Sequence, residues 1–194
     1  MAKIKLNDFK KFLASLNEEE VRAEMLKLIK LEQVQAFYAQ DLMSDDARDK
    51  MLAEYKTKIT RQLITPSGKN KSTISNANIR KLISDFEKVA SFQYDVIDLI
   101  LHRIEATMEA DFLTQYWGLK SGDYTAALNA FERAVKLMET NNLLSHFEAR
   151  CIILMKRKEV NSNFQMGLYQ LYCKVKDIPE ITAFYKETYG YHFQ

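Results

Sequence analysis

Large hydrophobic residues recur three and four positions apart along almost the whole chain, the spacing that gathers side chains on one face of an α-helix. Asn7 is placed to cap a first short helix with the face Phe9, Phe12, Leu13 and Leu16. Asn17 followed three residues later by Glu20 has the form of a capping box, and Glu18 and Glu19 add negative charge to its first turn. The helix it opens carries Val21, Met25, Leu28, Ile29 and Val34 and is expected to run on through Phe37, Tyr38 and Leu42. Ser44, Asp45 and Asp46 then stop it and start another built on Met51, Leu52, Tyr55, Ile59 and Leu63.

The stretch from Thr65 to Thr73 combines Pro66, Gly68 and small polar residues with Lys69 and Lys71, so it predicts a loop. The chain is expected to form one all-helical domain over residues 1–194. A sub-boundary at 65–75 would separate N-terminal helices (1–64) from helical hairpins (76–194). Ser75 or Asn76 caps a helix through Ile79, Leu82, Ile83, Phe86 and Val89. Next comes the most apolar element, with Val96, Ile97, Leu99, Ile100, Leu101 and Ile104 around much of its circumference, a pattern that predicts a central helix. It is expected to extend towards Phe112, Leu113, Tyr116 and Trp117, ahead of a turn from Gly118 to Gly122.

A tight Gly122-Asp123 turn leads into a helix with small residues at Ala127, Ala130 and Ala134 beside large ones at Leu128, Phe131 and Leu137. Small beside large at helical spacing predicts a close contact, here with the helix around Ile97 to Ile104. Asn141-Asn142 ends it, and Leu143 to Met155 and the run from Phe164 to Val175 follow. Pro179 suits an early position in a last helix through Ile181, Phe184 and Tyr185. Eight or nine helices joined by short turns imply an all-α fold of stacked antiparallel hairpins, either an irregular bundle or a short α-solenoid.

Composition agrees with that class. Only 5 glycines and 2 prolines occur in 194 residues, too few turn residues for a β-sandwich or a doubly wound α/β sheet. The net charge of +2 is too small to imply a polyanionic partner on its own. Cys151 and Cys173 sit inside apolar helical patterns and read as small buried hydrophobes, with a disulfide or a reactive thiol as the alternatives. No window has the apolar run of a signal peptide or a membrane span, so a cytoplasmic protein with no membrane partner is expected.

Two resemblances stand beside this reading. Gly122-Asp123-Tyr124 with Ala127, Phe131 and Ala134 resembles the second half of a tetratricopeptide repeat. The preceding helix departs from that pattern at Asp111, Thr114, Gln115 and Gly118, Glu139 stands where the closing proline belongs, and no second 34-residue copy is found. The run Leu6-Asn7-Asp8-Phe9-Lys10-Lys11-Phe12-Leu13-Ala14-Ser15-Leu16 with Glu18-Glu19-Glu20 resembles the start of an uncharacterised all-helical bacterial family, a domain of unknown function. Lys81-Leu82-Ile83-Ser84-Asp85-Phe86, Leu99-Ile100-Leu101 and Phe131-Glu132-Arg133-Ala134-Val135-Lys136 resemble its later segments, over residues 4–155 in all. The resemblance implies a cytosolic bacterial helical protein and supplies neither an activity nor site residues.

Candidate chemistry is sparse. Asp98, His102, Glu105 and Glu109 lie at offsets of four, three and four and share one helix face. Such a ladder would hold a metal, or use His102 as a base oriented by Asp98. Its other reading is a polar face satisfied by ion pairs from Arg103 or a neighbour. Helical di-metal sites carry Glu-x-x-His motifs, and this chain has none.

Charge is uneven. From Arg48 to Lys81 there are nine basic residues against two acidic, while Leu82 to Gln115 is mainly acidic. Arg61, Lys69, Lys71, Arg80 and Lys81 are therefore candidates for contacting nucleic-acid phosphates, unless the basic and acidic faces meet each other. Nucleotide-binding glycine loops, Gly-x-Ser-x-Gly, His-Glu-x-x-His and Cys-x-x-Cys are all absent. The aromatic run Tyr185, Tyr189, Tyr191 and Phe193 suits either a partner or packing onto the last helices. The expectation is a non-enzymatic interaction module with a protein or peptide partner and no cofactor. Nucleic-acid binding through 48–81 is the alternative, a site around His102 comes second to it, and the oligomeric state is left open.

Overall fold

The computed structural model describes residues 6–31, 34–35, 45–65, 74–90, 92–114, 119–157 and 160–190. Among these it is all-α: α1 (Leu6–Ala14), α2 (Glu18–Leu28), α3 (Asp45–Leu63), α4 (Asn76–Val89), α5 (Gln93–Thr114), α6 (Ser121–Thr140), α7 (Leu144–Lys156), α8 (Ser162–Cys173) and α9 (Pro179–Tyr189). Expected features at Phe37, Tyr38, Leu42, Lys69, Lys71, Tyr116, Trp117, Tyr191 and Phe193 lie outside the described residues.

Several helix starts follow the local chemistry of the sequence, although Asn7 lies inside α1 and does not precede it as a cap. The Asn17 side chain accepts from Glu20 N at 2.9 Å, and Glu20 Oε2 accepts from Asn17 N at 2.8 Å, so the capping box is formed. Ser75 caps α4 and Asn161 caps α8 through their side-chain oxygens, and Pro179 opens α9. Asn142 ends the α6 segment at φ 57°, a left-handed conformation that asparagine tolerates better than most residues.

The Gly122-Asp123 stretch is not a turn ahead of α6. It is the first turn of α6, where Asp123 Oδ2 accepts from Lys120 N at 3.2 Å. An acidic residue at the third helical position does this work, so the glycine there marks no chain reversal.

One core cluster runs from Leu52 in α3 to Tyr185 in α9. The central helix is α5: Val96, Ile97, Leu99, Ile100, Leu101 and Ile104 are all fully buried, and α3, α4 and α6 pack around it. Each such burial is worth about 1.5–3 kcal/mol, whereas an exposed pair like Arg22–Glu18 contributes at most about 1 kcal/mol. Apolar packing on α5 therefore dominates over surface charge. On α6, Ala127, Phe131 and Ala134 are fully buried, and α6 packs most extensively against α5. A Cβ at Gly167 of α8 would stand 2.8 Å from the Leu128 side chain, so these two helices also approach closely. Helix α7 packs against α6, α8 and α9 and completes the stack.

The N-terminal expectation needs correction. The helix opened at Asn17 ends at Leu28 instead of continuing to Leu42, although no glycine or proline marks the stop. Helix α2 buries no residue, and Phe9, Phe12, Met25, Leu26 and Leu28 are exposed. Their apolar spacing is helical, yet it leaves these side chains largely exposed.

Candidate functional site

The ladder on α5 becomes a clasp between helices. Asp98 Oδ2 accepts from Lys56 Nζ of α3 at 2.9 Å, and Asp98 Oδ1 accepts from Arg150 of α7. The same Arg150 grips Glu105 with two parallel bonds, Nε to Oε1 at 2.6 Å and a terminal nitrogen to Oε2 at 2.9 Å. His102 Nε2 lies 2.9 Å from Thr60 Oγ1 and 3.2 Å from the Lys56 carbonyl. Burial pushes the Glu105 carboxyl up, but His102 and Arg150 together outweigh it and hold the group down at about 2. Burial lowers the Arg150 guanidinium, and its bonds to Glu105 and Asp98 more than reverse that, raising it above its ordinary value. Glu109 is exposed and lies outside the clasp. Among the described residues no three His, Cys, Asp or Glu side chains come together as a group able to hold a metal ion.

The basic and acidic segments partly face each other. Arg48 lies 3.5 Å from Asp95, Lys56 binds Asp98, and Lys58 pairs with Glu54 of its own helix at 2.7 Å. Arg61, Arg80 and Lys81 are exposed, the first near the end of α3 and the other two on α4. Lys69 and Lys71 lie outside the described residues.

Arg103 does not serve the ladder. About 100° of rotation per residue places it roughly 140° around α5 from Asp98, on the other side of the helix. There it lines a groove of about 570 Å³ between α4, α5 and α6. Ile83, Ile100, Ala126 and Ala130 give this groove an apolar wall, and Arg80, Asn129 and Arg133 give it a polar one. The first turn of α6 contributes Ser121 and Gly122.

Arg103 is only 1% exposed. One terminal nitrogen donates to the Ala126 carbonyl at 2.7 Å, and the other donates to Asn76 Oδ1 at 3.0 Å. Asn76 in turn donates to Asp123 Oδ1 at 2.6 Å, so the nearest counter-charge is reached through an amide. The Arg103 Nε is buried with no hydrogen-bond acceptor among the described residues. Burial, helped by the Arg80 charge and opposed by Asp123, lowers the guanidinium to about 10. Arg133 pairs with Glu87, whereas Arg80 has no ion pair among the described residues. The sequence signal for this site was an arginine flanked by Ile100, Leu101 and Ile104 on the most apolar helix.

Residues 2–186 match the profile of a family described as a family of unknown function, DUF6155. The chain belongs to that family. The DUF6155 match extends beyond the 4–155 span expected from sequence resemblance, and both the Arg150 clasp and the Arg103 groove lie inside it. No curated protein and no solved structure matches the chain significantly. Among the described residues of this DUF6155 member, no helix is long and apolar enough to cross a membrane.

Proposed function

We propose that the protein is a non-enzymatic helical binding module that receives a segment of a protein or peptide partner in the groove between α4, α5 and α6. The observation that carries this reading is the groove's make-up: about 570 Å³, an apolar wall of Ile83, Ile100, Ala126 and Ala130, and three arginines. Recognition pockets have this size and this division between apolar area and a few orienting polar groups. The residues lining it include no carboxylate, imidazole or thiol, so they offer no general base poised near neutral pH. The Ser121 and Thr125 hydroxyls have no such base beside them in the lining to activate them as nucleophiles.

A peptide array followed by methyl NMR tests the reading. Peptides that bind are expected to move the methyl signals of Ile83, Ile100, Ala126 and Ala130 and to be recovered chemically unchanged by mass spectrometry. Binding that leaves these four signals in place, or peptides recovered cleaved or modified, overturns it.

A further inference from the structure

A guanidinium that is 1% exposed has lost its water and needs acceptors in return. Buried arginines typically find a carboxylate that takes two parallel bonds. Among the described residues the direct partners of Arg103 are instead neutral, a backbone carbonyl and an asparagine amide oxygen, and its Nε has no acceptor. Charge around the groove is unbalanced in the same direction. Arg80, Arg103 and Arg133 contribute three positive charges, against the carboxylates of Glu87, on Arg133, and Asp123, behind Asn76. Three minus two leaves one cation uncompensated among the described residues.

The lining adds a second source of positive potential. The first turn of α6 faces the groove, and its helix dipole favours an anion beside the Asp123 carboxylate that already accepts from Lys120 N. A Cβ at Gly122 would meet nothing within 4 Å, so the space beside that turn is open.

We infer that the segment received by the groove is acidic, and that it seats an oxyanion (a carboxylate or a phosphoryl group) between Arg80 and Arg103 beside the first turn of α6. This inference rests on the binding-module reading and specifies its partner. The oxyanion supplies the missing charge, and Ile83, Ile100, Ala126 and Ala130 hold the apolar residues that flank it. Arg80, exposed and unpaired among the described residues, is the arm that reaches it.

The test titrates the full chain, carrying ¹⁵N-labelled arginine, with capped short-peptide pools whose flanks are randomised. The central residue is fixed as glutamate, phosphoserine or glutamine. The glutamate or the phosphoserine pool is expected to half-saturate at a concentration about tenfold below the glutamine pool, the discrimination of one hydrogen bond to a charged group. It is also expected to move the Arg103 Nε–H signal, and the tighter of the two identifies the oxyanion. Arg80→Gln should remove most of the discrimination without unfolding the protein, whereas Arg22→Gln on α2 should leave it intact. Equal half-saturation by all three pools, with the groove methyls moving, overturns the oxyanion and leaves the binding module standing. Groove signals unmoved by any pool sink both.

Discussion

Replacing Arg150 by methionine tests the clasp that ties α5 to α7. The substitution keeps an unbranched apolar stem but removes two bonds to Glu105 and one to Asp98, which retains Lys56 at 2.9 Å. The native clasp holds Glu105 at about 2, against an ordinary 4.5. That fall corresponds to no more than about 3 kcal/mol of folding stability. His102 supplies part of that fall and stays in the variant. With the Glu105 side chain 35% exposed and that of Arg150 27%, solvent screening leaves about 1 kcal/mol as the share of Arg150. Adding the weakened Asp98 contact, a loss of about 2 kcal/mol is expected at pH 7, or about 4–8 °C in Tm for a chain of this length.

The pH dependence has a definite sign. A carboxyl depressed in the folded state contributes stability that is present above its unfolded value and lost as pH falls through its folded value. The gap between wild type and Arg150→Met should therefore be widest above about pH 5 and close as pH falls towards 2. Urea melts at stepped pH measure it. A gap below about 0.5 kcal/mol at pH 7, the scatter of ordinary surface substitutions, would refute the reasoning. So would a gap that stays constant down to pH 3.

Gly167→Val should cost about 1–3 kcal/mol, because even a Cβ there stands 2.8 Å from Leu128. In a double-mutant cycle read by urea melts, Leu128→Ala should recover part of that loss, and strict additivity would count against the contact. Gly122→Ala adds its methyl to open space in the first turn of α6, so it should leave stability unchanged or raise it by up to about 0.5 kcal/mol; a lower Tm would contradict that placement. Burial pushes the Cys151 thiol up to about 12 and also raises that of half-buried Cys173. Thiol labelling of native protein near pH 8, followed by mass spectrometry, should therefore modify Cys173 first, and early labelling of Cys151 would refute its burial.

What was legible in the sequence is what depends on residues close together along the chain. The Asn17–Glu20 box, the Ser75 cap, Pro179 at the start of α9 and the offsets joining Asp98, His102 and Glu105 on one face are all of this kind. The centrality of α5 was legible because apolar residues around much of its circumference leave only a narrow face for polar groups. Cross-helix pairing was not. Arg150 stands 45 residues from Glu105 and 52 from Asp98, and no spacing rule selects it over Arg103, which lies nearer in sequence. Gly122-Asp123 misled because glycine usually signals a turn, while an acidic residue is equally at home in a helix's first turn. The exposed faces of α1 and α2 show the complementary limit, since periodicity reports a helix and leaves open whether anything covers its stripe.

The Arg150 fork also sets axial register. Asp98 and Glu105 are seven residues apart, about two helical turns, and a single guanidinium spans both. Sliding α5 along α7 by one turn, about 5.4 Å, would leave the fork facing one carboxylate at most. The same rigid rod carries Arg103 on its opposite side, so the clasp fixes how far along α4 and α6 that guanidinium sits. Two sites with no shared side chain are in this way indexed to each other through one helix. Loosening the clasp with Arg150→Met is therefore expected to move the Arg103 Nε–H signal as well.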